Sequence, residues 1–148
     1  MHPMTKSEAG AIVRAARVKA GLTWAELATE LDAPLVWTTA ALLGQHPMTA
    51  EQAQRTAELL ELDESVQTAL RDQPYRAGES AASSDPTIYR FHEAISVYGP
   101  ALKELIHEEF GDGIMSAINF SIDIKRRPHP DGDRVVVTLD GKFLDYRW

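Results

Sequence analysis

Three side chains have the types and setting to do chemistry: Arg90, Glu93 and Ser116. An arginine is cationic at any physiological pH and presents a planar fork of N–H donors, which suits carboxylate-like anions. A glutamate three residues further along a helix is its surface neighbour, able to orient the guanidinium or to shuttle a proton. Ser116 falls on the apolar side of an alternating segment. A hydroxyl there must find a hydrogen-bond partner or a ligand, and it can donate to a substrate oxygen. Spacing alone fits two plainer readings as well: an exposed ion pair worth under ~1 kcal/mol, and a strand serine bonded to backbone.

The elements that must position them are legible around these residues. Asp85-Pro86 has the form of a helix N-cap followed by proline at the first helical position, where its missing N–H costs nothing. Ile88, Phe91 and Ile95 then follow at i, i+3, i+7, one stripe of an amphipathic helix, with Arg90 and Glu93 on the other side. Gly99 is predicted to end that helix and Pro100 to open a second, running to Gly111-Asp112-Gly113. Beyond the turn the period changes. Ile118, Phe120, Ile122 and Ile124 alternate with Asn119, Ser121, Asp123 and Lys125, as in a half-buried strand. Carried backwards, the alternation puts Ser116 on the same side as Ile114. Asp131-Gly132 and Asp140-Gly141 are turn dipeptides, the second predicting a tight hairpin. About three strands are expected.

The segments PTIYRFHE, VYG, FGDGIMSAINF and VVVTLDGKF resemble the cyanase (cyanate hydratase) family, strongly from Asp85 to Phe143 and more weakly through TAALLGQ at Thr39 to Gln45. The resemblance implies a functional triad of an arginine, a glutamate three residues later and a serine in the GDGI-x-S segment. Here these are Arg90, Glu93 and Ser116. It further implies bicarbonate-dependent decomposition of cyanate to ammonia and carbon dioxide through carbamate. No metal or organic cofactor is implied, bicarbonate serving as co-substrate, and the sites would lie between dimers of a homodecamer built as five dimers in a ring. His92, Pro100, Glu104 and Glu109 depart from the family pattern. His92 is read as a packing residue.

The 148 residues fit one domain or two very small ones. A formal charge of −7 and a pI near 5.2 argue against nonspecific binding to nucleic acid or anionic membrane. With no cysteine there is no disulfide frame or thiol chemistry. The polar Met1 to Gly10 does not resemble a signal peptide, no apolar run approaches ~18 residues, and a cytoplasmic location is expected. Ser7 to Asp72 reads as helical throughout, with Gly21 closing the first helix and Thr23, Thr49 and Asp63 as caps; Glu26 completes a capping box with Thr23. Two of these helices, joined by a tight turn, resemble a repressor-type helix-turn-helix.

An acidic DNA-binding regulator is therefore the main rival reading, with a catalytically inactive cyanase-like assembly as another. The second helix of the pair, within Ala33 to Gln45, has no charged residue, and Met1 to Gln73 carries six Lys/Arg against ten Asp/Glu. Phosphate neutralisation supplies much of the affinity for DNA, so the missing basic face argues against a nucleic-acid partner. His92-Glu93 and His107-Glu108 do not complete HExxH, since Ser96 and Gly111 stand at i+4, and no metal is expected. The predicted architecture is α+β. A helical, helix-turn-helix-like domain over 1–73 and a linker over 74–85 precede a catalytic and oligomerising domain of two helices and strands over 86–148. So small a second domain, with open strand edges, is expected to pair with another chain.

Overall fold

The computed structural model describes residues 3–74 and 84–146, which form six α-helices and one two-stranded antiparallel sheet, an α+β fold. They fall into two compact units, residues 1–108 and 109–148. Most of the predicted linker, residues 75–83, lies outside the described residues.

The first unit begins with five helices: α1 (Lys6–Ala20), α2 (Trp24–Glu30), α3 (Leu35–Leu42), α4 (Ala50–Leu60) and α5 (Glu64–Arg71). Their ends are set locally. Thr5, Thr23 and Thr49 each accept the N3 backbone N–H, while Glu8, Glu26 and Gln52 return the bond to the cap, three complete capping boxes. Asp63 caps α5 through Ser65 N and Val66 N. Between α2 and α3, the helix-turn-helix pair, the chain turns through Asp32 at a φ of 50°. The core is built from these helices, with Val13, Trp24, Leu27, Leu42, Val66 and Leu70 among its buried members. Thr38 to Leu42 of α3 are buried, and Trp37 packs partly buried against the core.

Helix α6 (Pro86–Phe110) is one element, not the two predicted around Gly99-Pro100. A proline in a helix interior removes one i→i−4 bond and costs about 3 kcal/mol. It also disfavours the α conformation of the preceding residue, partly through that residue's Cβ. Gly99 has no Cβ, which eases the second effect. Packing on both sides offsets the first: Val97 and Ala101 are buried and Leu105 lies against the core.

In the second unit, β1 (Gly113–Arg127) and β2 (Arg134–Asp145) pair along most of their length as a single hairpin, where about three strands were predicted. The reversal is at residues 128–133, closed by the Gly132 N–H donating to the His129 carbonyl at 3.0 Å. Asp140-Gly141, predicted as the hairpin turn, lies inside β2. Its glycine serves close approach instead. A Cβ at Gly141 would collide with the Met115 side chain and the Ser116 carbonyl oxygen.

That crowding marks a break in register. Met115 pairs with Phe143 and Phe120 with Gly141, so residues 116–119 stand opposite Lys142 alone. Three extra residues are an odd number, and an odd insertion reverses which side chains share a face. The pairs Phe120–Gly141, Ile122–Leu139 and Ile124–Val137 therefore continue into Met115–Phe143. Ile114, predicted to share their face, pairs with Leu144 on the other one.

Candidate active site

Asp85 fixes the start of α6. Its Oδ1 accepts from Thr87 N and Ile88 N, both at 2.9 Å, and its carbonyl accepts from Tyr89 N. This sets the first turn from which Arg90 projects. Arg90 and Glu93 are both exposed, and among the described residues they form no ion pair with each other. The guanidinium carbon of Arg90 lies 5.7 Å from the centroid of the Tyr89 ring. The plain reading of this pair, a surface salt bridge, is not realised. Beside them the predicted stripe is present but uncovered: Ile88, Phe91 and Ile95 are each more than half exposed. His92, read from sequence as packing, is exposed as well. Its turn of the helix packs little within this unit.

Ser116 is buried at 7% exposure, inside the irregular stretch of β1. Its Oγ accepts from Ile118 N at 3.1 Å and Asn119 N at 2.9 Å. A serine hydroxyl has one proton to give and two lone pairs to fill. Here the backbone fills the accepting side and leaves the O–H to donate. Two N–H donors on one oxygen also polarise it, which strengthens that donation. The backbone bonds are those any strand serine could make, yet they orient the hydroxyl as a donor.

Arg90 and Glu93 belong to the first unit and Ser116 to the second, so neither unit holds all three. Two larger concavities of the first unit lie elsewhere. One, of about 600 Å³, is lined by residues such as Ala28, Asp32 and Leu35; the other, of about 530 Å³, by Lys6, Gln45 and Asp72. Neither contains Arg90 or Glu93. Among the described residues, no three His, Asp or Glu side chains converge as a metal site would require.

Two groups escaped the sequence reading. Glu104 and Glu108, one turn apart on α6, reach the five-helix part of their unit. Glu104 pairs with Arg14, and the Glu108 carboxylate accepts from Trp24 N at 2.9 Å and Ala25 N at 3.4 Å. Their i, i+4 spacing was visible, and Glu104 stood out as a departure from the family pattern. Its partner ninety residues away was not visible.

Comparison with known proteins decides the family. Residues 4–74 match the family model described as cyanate hydratase, N-terminal, and residues 80–148 match the cyanate lyase C-terminal domain. The chain belongs to the cyanate hydratase family. This family member is 61% identical to the cyanate hydratase of Mycolicibacterium vanbaalenii, over 98% of this chain and 95% of that one. It is 48% identical to the cyanate hydratase of Methylibium petroleiphilum, over 97% and 99% of the two chains. A solved structure, the cyanase from T. urticae, shares 39% identity over 92% of this chain and 96% of its own, with a TM-score of 0.43. The family named by the sequence motifs is thus the one found. No helix among the described residues of this family member is long and apolar enough to cross a membrane.

Proposed function

We propose that the protein catalyses the bicarbonate-dependent decomposition of cyanate to ammonia and carbon dioxide, with Arg90, Glu93 and Ser116 as the catalytic residues. The observation that carries this reading is the match of both halves of the chain to cyanate hydratase models, residues 4–74 and 80–148. The side chains support it. Arg90 and Glu93 are exposed and unengaged with each other, and Ser116 is oriented to donate. Residues 1–73 are then a scaffold, 74–85 a linker, and 86–148 the catalytic and oligomerising part.

The chemistry joins two anions. A bicarbonate oxygen attacks the cyanate carbon, and the bicarbonate proton ends on the nitrogen, giving a carboxylated carbamate dianion. The bond from the bridging oxygen to the former bicarbonate carbon breaks and releases carbon dioxide. The carbamate left behind takes protons from solvent and separates into ammonia and a second carbon dioxide. Bringing the anions together and stabilising the dianion is work for guanidinium charge and hydroxyl donors held in place. Arg90 binds and neutralises, Ser116 donates to a substrate oxygen, and Glu93 orients Arg90 or passes the proton. Neither metal nor organic cofactor takes part.

One chain supplies a single copy of each group, and several arginines at a symmetry axis would supply more charge than one chain can. The reading therefore includes a homodecamer, five dimers in a ring, with sites shared between chains. The uncovered apolar residues of β1 and of the start of α6 favour assembly. A charge-free, largely buried α3 favours a scaffold over a DNA reader. The absence of cysteine agrees with action in the cytoplasm.

The test is to incubate the protein with cyanate, with and without bicarbonate, and to assay ammonia. Ammonia release that requires bicarbonate is the expected result; none, or release indifferent to bicarbonate, overturns the reading. Arg90→Lys keeps the charge but loses the fork, and is expected to lower turnover by about 10²-fold or more. Near-normal turnover by an assembled lysine variant would remove Arg90 from the site. Arg90→Leu and Ser116→Ala proteins, each inactive alone, should regain part of the activity when dissociated and reassembled together.

A further inference from the structure

Helix α6 has two dissimilar parts. Its first two turns carry Arg90 and Glu93 among exposed apolar residues. Its later turns are held. Val97 and Ala101 are buried, Leu105 packs on the core, and the Tyr98 ring lies 5.5 Å from His46, itself stacked on Trp37 at 5.8 Å. Residues 97, 98, 101, 104, 105 and 108 recur at helical spacing and form one face. At the end of that face two carboxylates supply directional bonds. Glu104, its side chain only 14% exposed, receives the Nε–H of Arg14 from α1. Glu108 receives Trp24 N and Ala25 N, the first two N–H groups of α2, which Thr23 leaves open because it takes Glu26 N.

Apolar packing alone does not fix a helix against small rotations, whereas bonds to two separate helices do. Arg90 lies fourteen residues from Glu104, roughly 21 Å at ~1.5 Å per residue, so the helix acts as a lever on the anchored end. A rotation of α6 by about 3° about that end would shift Arg90 by ~1 Å, and misplacement on that scale can cost 10²-fold in rate.

We propose that Glu104 and Glu108, with Arg14, are positioning residues for cyanate decomposition: they anchor α6 on α1 and α2 so that Arg90 and Glu93 are held at a fixed place. This rests on the reading of Arg90 and Glu93 as catalytic. It gives the five-helix part a catalytic purpose without any catalytic group of its own.

The experiment uses full-length protein and compares Arg14→Glu, Glu104→Arg and the double swap, together with Glu104→Gln, Glu108→Gln and Arg90→Leu. Each is measured for kcat, for KM toward cyanate and bicarbonate, for Tm and for size by sedimentation. The single charge reversals should lower kcat/KM about tenfold or more, and the swap should restore most of it. Glu108→Gln should lose a few-fold, because an amide oxygen still accepts. Glu104→Gln preserves shape and should fall between the two. Wild-type kcat and KM in the reversals would overturn the inference, as would a lowered Tm with unchanged kinetics, or a swap no better than its parents in rate and size. If Arg90→Leu turns cyanate over normally, the underlying assignment fails and the inference with it. An inactive Arg90→Leu beside kinetically normal Glu104 variants sinks the positioning role alone.

Discussion

The five-helix part and the hairpin differ in how they satisfy their own groups. Each of the capped helices ties one or two of its N-terminal N–H groups to a capping side chain at its own start, and the apolar faces meet one another in a shared core. Among the described residues the hairpin satisfies its ladder between β1 and β2, and many of its apolar side chains remain open: Ile118 is 96% exposed, Ile124 70% and Val135 73%. A two-stranded hairpin is marginal on its own in water. The contrast separates a region that buries its apolar faces within the chain from one that leaves many of them uncovered, as the proposed assembly would require. The proposed catalytic serine sits in the second region, and the proposed arginine and glutamate sit beside an uncovered stripe.

The hardest test of that contrast is Ile122→Asp. Ile122 pairs with Leu139 and is 63% exposed. Within one chain the substitution disturbs little. Across an interface it buries a carboxylate without a partner, at a cost of several kcal/mol. Dissociation to smaller species and loss of activity by ~10²-fold or more are expected, with the far-UV helical signal unchanged. Sedimentation at the parent size with normal turnover would show that this face is not covered by another copy, and the comparison would break.

How much could be read beforehand follows the same division. Helix ends in the first 74 residues were legible because caps act over three residues: Thr23 with Glu26, Asp63 with Val66. The proposed site residues were named from motifs, and their surroundings were not legible. Proline rules broke α6 in two because the packing of Val97, Ala101 and Leu105 is long-range. Asp140-Gly141 looked like a hairpin turn because glycine serves both reversals and close approach, and only the partner strand tells which. The odd insertion at residues 116–119 hid the face of Ile114, since an alternating pattern does not announce where its phase slips.

A smaller but sharper effect is expected from Gly141→Ala. The added methyl would meet the Met115 side chain and the Ser116 carbonyl, so the irregular stretch must move or open. That stretch holds the Ser116 hydroxyl through Ile118 N and Asn119 N. Turnover should fall about tenfold or more, with the loss in kcat exceeding any change in KM, while the stability of the helical part is unaltered. Wild-type kcat in the alanine variant would separate Gly141 from the geometry of Ser116.

The smallest effect probes the five-helix part alone. The Asp63 carboxyl is held below its ordinary value of 3.8 by the Ser65 hydroxyl, which donates to it at 2.5 Å, and by the backbone N–H of Val66. A carboxyl depressed in the folded state contributes stability that is fully present above 3.8 and is lost as pH falls through its folded value. Asparagine accepts the same backbone bonds but cannot ionise. Asp63→Asn should therefore leave cyanate turnover untouched and flatten the fall of Tm in acid, with no difference in slope above neutrality. Because the cap lies within one chain, the change should be the same at any protein concentration, unlike the effect of Ile122→Asp. An acid limb identical to that of the unsubstituted protein would show that the cap is not coupled to folding of the helical part. A change that varied with concentration would mean that this part, too, depends on assembly.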